Sequence, residues 1–335
     1  MARHARAVQQ PADEATWLRV RDLVAISEAD PLAPFALRPE KQYVFSADGD
    51  AAVSYRVKFG VAMASGDPVG EPASWQAAVD AFVLAAKARK LRIAVIGAGE
   101  RAKQMWAGYG LSAVPIGRDV VLGREQFQVT GRRYRNLRQA IQRSRNAGIT
   151  VEFSREGELP AADILELRGM MAHQRKVDSR GFSMILGRLF NGLEPDAIMV
   201  IARGPDGHMV AAHRYLWAGK QDLSLDLPVR ARRSPNGTDE RLVAETIKWG
   251  QENGVERVSL AFAPFPDLFV NRKNLGVLGK LAYGAVHLLD PLIKVEALYR
   301  YLRKFHAFDQ ERYVMLRWRN TLRVALAALL LEFSS

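Results

Sequence analysis

Strand and helix signals alternate twice along this chain, and that order limits the folds open to it more than any other feature. Residues 52–59 alternate apolar and polar positions like a strand, and the turn-rich Ser65-Gly66-Asp67-Pro68-Val69-Gly70 follows. Residues 74–90 read as a helix, because Trp75, Ala78, Val79, Phe82, Val83 and Ala86 recur at helical spacing. Residues 91–96 form a short buried strand, 100–107 a helix ended by Gly108, and 120–122 another strand. A strongly basic helix over 131–148 comes next, and then the order returns. A strand at 151–154 precedes a helix at 161–175 and a hairpin of 197–203 with 208–217 around Gly204-Pro205-Asp206-Gly207. A strand at 222–227, a helix at 238–253 and a strand at 257–261 complete the second series. Such an order implies mixed sheets with helices packed on them, an α+β class. The expected division is an N-terminal unit at 15–130, a basic connecting helix at 131–150 and a C-terminal unit at 151–320 that carries the active site. No repeat is visible residue by residue, so the two-half reading rests on element order.

Composition bounds the function. The 335 residues are 48% hydrophobic and 25% charged, a balance that supports a buried core and argues against disorder. Cysteine is absent, which excludes disulfides, thiolate nucleophiles, cysteine zinc sites and iron–sulfur clusters. The excess of 48 Lys+Arg over 36 Asp+Glu, a formal +12, points to polyanionic partners. It is concentrated: residues 101–148 hold ten Lys/Arg against two Asp/Glu, and 272–319 hold ten against four. The basic start of the chain lacks the apolar stretch of a signal peptide. The longest apolar run, 324–331, is less than half of the roughly 20 residues a spanning helix needs, so the chain reads as soluble or peripheral.

Several constellations bear on chemistry. Gly97-Ala98-Gly99-Glu100-Arg101-Ala102 follows a strand and opens a helix, with Asp119 about 20 residues on, as in a dinucleotide fingerprint. It follows two strands and a long helix rather than opening a βαβ series, so a plain glycine-rich strand-to-helix turn is the preferred reading. The segment from Ser224 to Glu240 is more informative. A strand ends in Asp226, and a loop with Arg230, Arg232 and Arg233 leads to a helix capped by Asn236 or Thr238. The free N–H groups and partial positive charge of a first helical turn, joined by arginines, suit a phosphate or a developing oxyanion. Glu240 would project from that turn. Residues 275–289 are apolar enough for a helix that admits lipid tails, or for a buried one. The histidines show no HxxxH or HExxH spacing, so no metal is expected. His213 reads as a partner for a strand neighbour.

The chain resembles the cytosolic aminoacyltransferase domain of the bacterial phosphatidylglycerol lysyltransferase (multiple peptide resistance factor) family. The stretches that carry the resemblance are Tyr55-Arg56-Val57, Ala64 to Gly70, Asn136-Leu137-Arg138-Gln139-Ala140, Gly181-Phe182-Ser183-Met184 with Leu186-Gly187-Arg188, and Ser224-Leu225-Asp226-Leu227. They continue with Ser234-Pro235-Asn236-Gly237-Thr238, Val258 to Ala263, and Leu298-Tyr299-Arg300 leading to Lys304-Phe305 and Arg312-Tyr313. The resemblance spans roughly residues 33–317. It implies tandem acetyltransferase-like (GNAT) folds and transfer of an aminoacyl group, lysyl before others, from aminoacyl-tRNA to the hydroxyl of phosphatidylglycerol or a related lipid. It implies no cofactor, and a place at the cytoplasmic face of the bacterial membrane. Two departures stand out: Pro228-Val229 occupies the place of the family's Met-Arg, and Ala307 and Asp309 replace a proline and a tryptophan.

On that resemblance Asp226, Arg230 and Glu240 are expected in catalysis, with Ser183, Asn236, Gly237, Thr238, Lys304 and Arg312 binding substrate. Asp226, Glu240 and Arg312 are expected around one cationic tunnel. Arg132, Arg133, Arg135, Arg138, Arg143 and Arg145 are expected to hold tRNA phosphates, and the second basic region to meet anionic phospholipid at the membrane surface. An activated ester needs no metal and no covalent nucleophile, only positioning, a proton acceptor and oxyanion donors. An acyl-CoA-dependent acyltransferase and a non-catalytic tRNA or membrane tether stay open as alternatives.

Overall fold

The computed structural model describes residues 13–27, 30–125, 127–177, 189–190, 192–264 and 295–333. Ser183 and the apolar stretch 275–289 lie outside them. Within them, eight helices are numbered α1 (Glu14–Ile26), α2 (Trp75–Ala88), α3 (Glu100–Ala107), α4 (Arg135–Asn146), α5 (Ala161–Val177), α6 (Thr238–Glu252), α7 (Val295–Leu302) and α8 (Thr321–Phe333). The strands are β1 (Gln42–Phe45), β2 (Ala51–Lys58), β3 (Val61–Ser65), β4 (Val69–Gly70), β5 (Arg92–Ala98) and β6 (Ser112–Gly123) in the first half. The second half supplies β7 (Thr150–Arg155), β8 (Ile198–Arg203), β9 (Met209–Ala218), β10 (Asp222–Arg230), β11 (Arg257–Pro264) and β12 (Phe308–Leu316).

All twelve strands join one sheet in the order β1-β2-β3-β5-β12-β6-β11-β10-β9-β8-β7, with β4 beside β2. The two parallel pairs, β3 with β5 and β10 with β11, occupy equivalent places in the two halves. Each is bridged by one helix, α2 or α6, which is the α+β, acetyltransferase-like arrangement expected. The halves trade strands at the centre: β12 pairs with β5 of the first half, and β6 pairs with β11 of the second. β6 and β12 also pair with each other.

Strand alternation explains why both sheet faces are covered. In the first half Ala62, Ala64 and Val95 pack under α2 and α3 with Phe82 and Trp106, while Val61, Met63 and Ala94 face Val324 and Ala327 of α8. In the second half Ile198, Val200 and Ala202 pack with Leu242, Val243 and Ile247 of α6, and Met199 and Ile201 with Leu167 of α5. α1 spans the halves, its Trp17, Val20, Leu23 and Val24 packing with Val69 on one side and Leu216 on the other.

Candidate active site

β10 delivers the chain to a loop that turns back into α6, and one glycine sets the geometry of that turn. Gly237 has φ 95°, and a Cβ on it would lie 1.9 Å from the carbonyl oxygen of Ala140 in α4. Only glycine lets the first turn of α6 rest on the backbone of the basic helix. The expected side-chain cap from Asn236 or Thr238 is therefore replaced. Gly237 is the N-cap, with no side-chain cap bond, and Thr238 Oγ1 donates backwards to Pro235 O at 2.8 Å. Asn236 is exposed. Gly237→Ala is expected to cost about 2 kcal/mol through overpacking and left-handed strain, read as a lower urea midpoint.

The first turn of α6 projects two acids. Glu240 Oε1 accepts from Lys304 Nζ at 2.6 Å, and Glu240 is buried. Asp239 Oδ2 accepts from Arg230 Nη1 at 2.9 Å, while Arg230 Nη2 donates to the carbonyls of Ser234 and Pro235 at 3.0 and 3.1 Å. His213 Nε2 lies 3.4 Å from Asp239 Oδ1, and its Nδ1 lies 3.3 Å from the Tyr215 hydroxyl. His213 thus meets the strand neighbour expected and a carboxylate as well. Burial opposes the charge on Asp239, but the His213 hydrogen bond and the charges of His213 and Arg230 hold its carboxyl below the usual range.

Tyr301, in the last turn of α7, has the Lys304 ammonium 5.8 Å from its ring centroid. Its hydroxyl is buried with no hydrogen-bond partner among the described residues. Burial first, then the charges of Asp239 and Glu240, push its pKa well above that of a free tyrosine, so the phenol keeps its proton. A groove of about 400 Å³ opens beside it, lined by Glu296, Ala297, Arg300, Tyr301 and Lys304. It presents the Lys304 ammonium, with the Glu240 carboxylate buried behind it, and Arg300 paired with Glu296 at 2.7 Å.

The basic helix flanks the site. The expected helix over 131–148 is a 3-10 turn, Arg132–Tyr134, followed by α4. Leu137, Ala140, Ile141 and Ser144 are buried, while Arg132, Arg133, Arg135, Arg138, Arg143 and Arg145 are all exposed. Arg133 donates to His306 O at 3.1 Å, Arg138 to Gly131 O at 2.6 Å, and Arg145 lies 3.5 Å from Glu245. Arg132, Arg135 and Arg143 make no ion pair among the described residues.

Asp226 and Arg312 stand elsewhere. A register shift between Leu225 and Leu227 leaves Asp226 out of the β9 ladder. Its fully buried carboxylate accepts from Arg214 Nη1 at 2.6 Å. Arg214 also donates to Glu156 and lies 3.6 Å from Glu194. Arg312 joins a second buried cluster, 2.6 Å from Asp30, 2.8 Å from Asp119 and 3.7 Å from Asp67. Thus Arg230, Gly237, Thr238, Glu240 and Lys304 come together around the first turn of α6, Lys304 alone among them lining the groove, whereas Asp226 and Arg312 each carry their own counter-charges in separate clusters. The glycine-rich turn is spent on the second cluster. The Gly99 N–H donates to Asp67 Oδ1 at 2.7 Å, and Asp119 faces Arg312 rather than a ribose.

Two of the carboxyls around Arg312 give the fold a pH dependence. Burial, then the Asp30 charge, raises Asp67 to about 7; burial raises Asp119 to about 6. A carboxyl with a raised folded-state pKa binds protons that the unfolded chain has already lost, so stability falls as pH rises from about 4 through 7. Asp67→Asn, which keeps an oxygen for the Gly99 N–H, is expected to flatten that fall and to raise the urea midpoint at pH 8.

Sequence reasoning missed Asp239, Tyr301 and Arg214 as members of these sites. A signal existed for the last: an arginine inside the apolar run Ala211-Ala212-His213-Arg214-Tyr215-Leu216-Trp217 needs buried partners.

The model of the family described as phosphatidylglycerol lysyltransferase, C-terminal, matches residues 21–316. The chain belongs to that family. An MprF-like domain protein of Mycobacterium tuberculosis is 44% identical over 324 residues, which cover 94% of this chain and 66% of that protein. The lysylphosphatidylglycerol biosynthesis bifunctional protein LysX of Mycobacterium ulcerans is 35% identical over 298 residues, 88% of this chain and 27% of LysX. The chain therefore spans just under two thirds of the first relative and about a quarter of the second. Among solved structures, the C-terminal domain of a putative lysylphosphatidylglycerol synthetase from Agrobacterium fabrum superposes with TM-score 0.78 at 20% identity, covering 96% of this chain and 98% of that one. L-PGS from Bacillus licheniformis gives 0.76 at 18%, with 96% of each chain covered. At those identities the likeness is one of fold. No helix among the described residues of this lysyltransferase-family chain is long and apolar enough to cross a membrane.

Proposed function

We propose that this chain transfers an aminoacyl group, lysyl before others, from aminoacyl-tRNA to the hydroxyl of phosphatidylglycerol or a related anionic lipid at the cytoplasmic face of the membrane. The observation that carries the reading is the Glu240–Lys304 pair, seated at the first turn of α6 beside an exposed arginine helix. Membership in the lysyltransferase family supports it.

In this reading the acceptor hydroxyl oxygen attacks the ester carbonyl carbon, and Glu240 takes its proton. The Lys304 ammonium donates to the oxyanion that forms. The intermediate collapses by breaking the bond to the tRNA's terminal ribose oxygen, which leaves with the proton from Glu240. Arg230 and His213 hold Asp239, and with it the start of α6, in place; Asp226 and Arg312 act as positioning residues within their clusters. Asn236, exposed beside the turn, contacts the incoming tRNA end. The lipid product carries lysine's ammonium groups, so the membrane surface becomes less negative and less attractive to cationic peptides.

Incubation with radiolabelled lysyl-, alanyl- and arginyl-tRNA and mixed lipids, followed by resolution of the lipid products, tests the reading and names donor and acceptor. Label in a phosphatidylglycerol product is the expected result. Turnover of acetyl-CoA without tRNA would replace it with an acyltransferase. The helix α4 carries its own test. Replacing Arg132, Arg135 and Arg143 with alanine is expected to lower the slope of log affinity against log salt by roughly 2, at about 0.7–0.9 for each tRNA phosphate left unneutralised, in a filter-binding titration with tRNA.

A further inference from the structure

One end of the first half's sheet presents cations and exposed apolar side chains together. The ladders pair Val61 with Arg92, Met315 with Val95 and Leu316 with Ser112. The end at which β3, β5 and β6 begin is therefore the end at which β12 leaves. Four turns meet there: β2–β3 at 59–60, α2–β5 at 89–91, α3–β6 at 108–111 and β12–α8 at 317–320. Across residues 57–61, 87–92, 107–112 and 317–328 the chain carries Lys58, Lys87, Arg89, Lys90, Arg92, Arg317, Arg319 and Arg323, and no Asp or Glu.

Among these cations stand side chains that a folded domain ordinarily covers. Phe59 is 54% exposed, Trp318 65%, Leu322 85% and Leu326 47%. Trp318, Leu322 and Leu326 are spaced by four, so they form one outward stripe of α8 and the turn leading into it, while Val324 and Ala327 pack inward on Val61 and Met63. The helix is apolar on both sides, and its inner side alone is accounted for by the core.

We infer that this end of the first half is the surface that docks on an anionic lipid bilayer, with Phe59, Trp318 and Leu322 entering the interface and the surrounding arginines and lysines meeting lipid phosphates. Charge decides the occupant: a second copy would bring eight cations against the same eight, whereas an anionic leaflet neutralises them. A tryptophan beside arginines suits the headgroup level. The inference rests on the proposed lipid acceptor only for the purpose of docking; attachment itself is read separately.

Co-sedimentation of the full chain with vesicles of phosphatidylcholine alone, or of phosphatidylcholine with phosphatidylglycerol, tests it. The chain is expected to pellet with the anionic vesicles, and Phe59→Ser with Trp318→Ser, or Arg319→Glu with Arg323→Glu, to weaken that binding by about tenfold or more. Lys220→Glu with Lys248→Glu, an equal charge reversal away from this end, is expected to stay within about twofold. Equal binding to both vesicles, or equal losses in the control pair, would overturn the inference, as would a dimer in solution that Trp318→Ser dissolves. Transfer to a water-soluble short-chain phosphatidylglycerol separates the two readings. It should survive Phe59→Ser with Trp318→Ser. Its absence in the unaltered chain, with vesicle binding intact, would remove the proposed reaction and leave the docking surface standing.

Discussion

Lys304→Met and Glu240→Gln are each expected to slow aminoacyl transfer by about a hundredfold or more while leaving tRNA affinity near its starting value. The two side chains form one unit, an ammonium 2.6 Å from a buried carboxylate. Removing the lysine strips a donor from the oxyanion and leaves Glu240 with an unbalanced charge in a buried place. Removing the carboxylate's charge leaves the acceptor hydroxyl without a proton acceptor. Because either loss disables the same step, the double variant should be little slower than the singles. Single-turnover rates at saturating tRNA and lipid show this without interference from product release. Rates within a few-fold of the unaltered chain, with full tRNA binding, would move the chemistry away from α6.

Arg214→Ala is expected to cost about 3–5 kcal/mol, enough to unfold many domains. Arg214 is fully buried, and its guanidinium serves Asp226, Glu156 and Glu194 together. Without it those carboxylates either stay charged and uncompensated or take up protons at neutral pH, and both outcomes oppose folding. Adding Asp226→Asn and Glu156→Gln to Arg214→Ala should recover much of the loss, because the penalty lies in the stranded charges rather than in the missing arginine. Urea midpoints across the series measure it. A single variant as stable as the starting chain would mean that the cluster does not hold β9, β10 and the 156–158 turn together.

How much of this is readable in the sequence follows from the range of the interactions. The helices at 75–88, 100–107 and 238–252 have apolar positions that repeat every three or four residues, and such a pattern is local. β6 reads as only 120–122, because Pro115 and Gly117 interrupt its first part; the ladders from β11 and β12 make it a strand from Ser112. β12 begins Phe308-Asp309-Gln310-Glu311-Arg312, a polar start that resembles no buried strand, yet it lies at the middle of the sheet. The reason is Arg312, whose partner Asp30 is 282 positions away, a separation no pattern in sequence can bridge.

The site divides the same way. Glu240 and Lys304 are named by resemblance to the family, and Gly237 announces a turn. That its missing side chain makes room for Ala140 of α4, and so ties the basic helix to the first turn of α6, emerges only from the packed fold. Asp239 is overshadowed by its neighbour Glu240, and Tyr301 by the Leu298-Tyr299-Arg300 stretch beside it.

The most direct test mixes the purified chain with phosphatidylglycerol and lysyl-tRNA in one reaction, and with lysyl-tRNA whose ester is replaced by an amide in another, then weighs the lipid. The account predicts a lipid heavier by one lysyl residue from the ester alone, with the amide acting as a competitor. Bound tRNA with no change in lipid mass from either donor would contradict it.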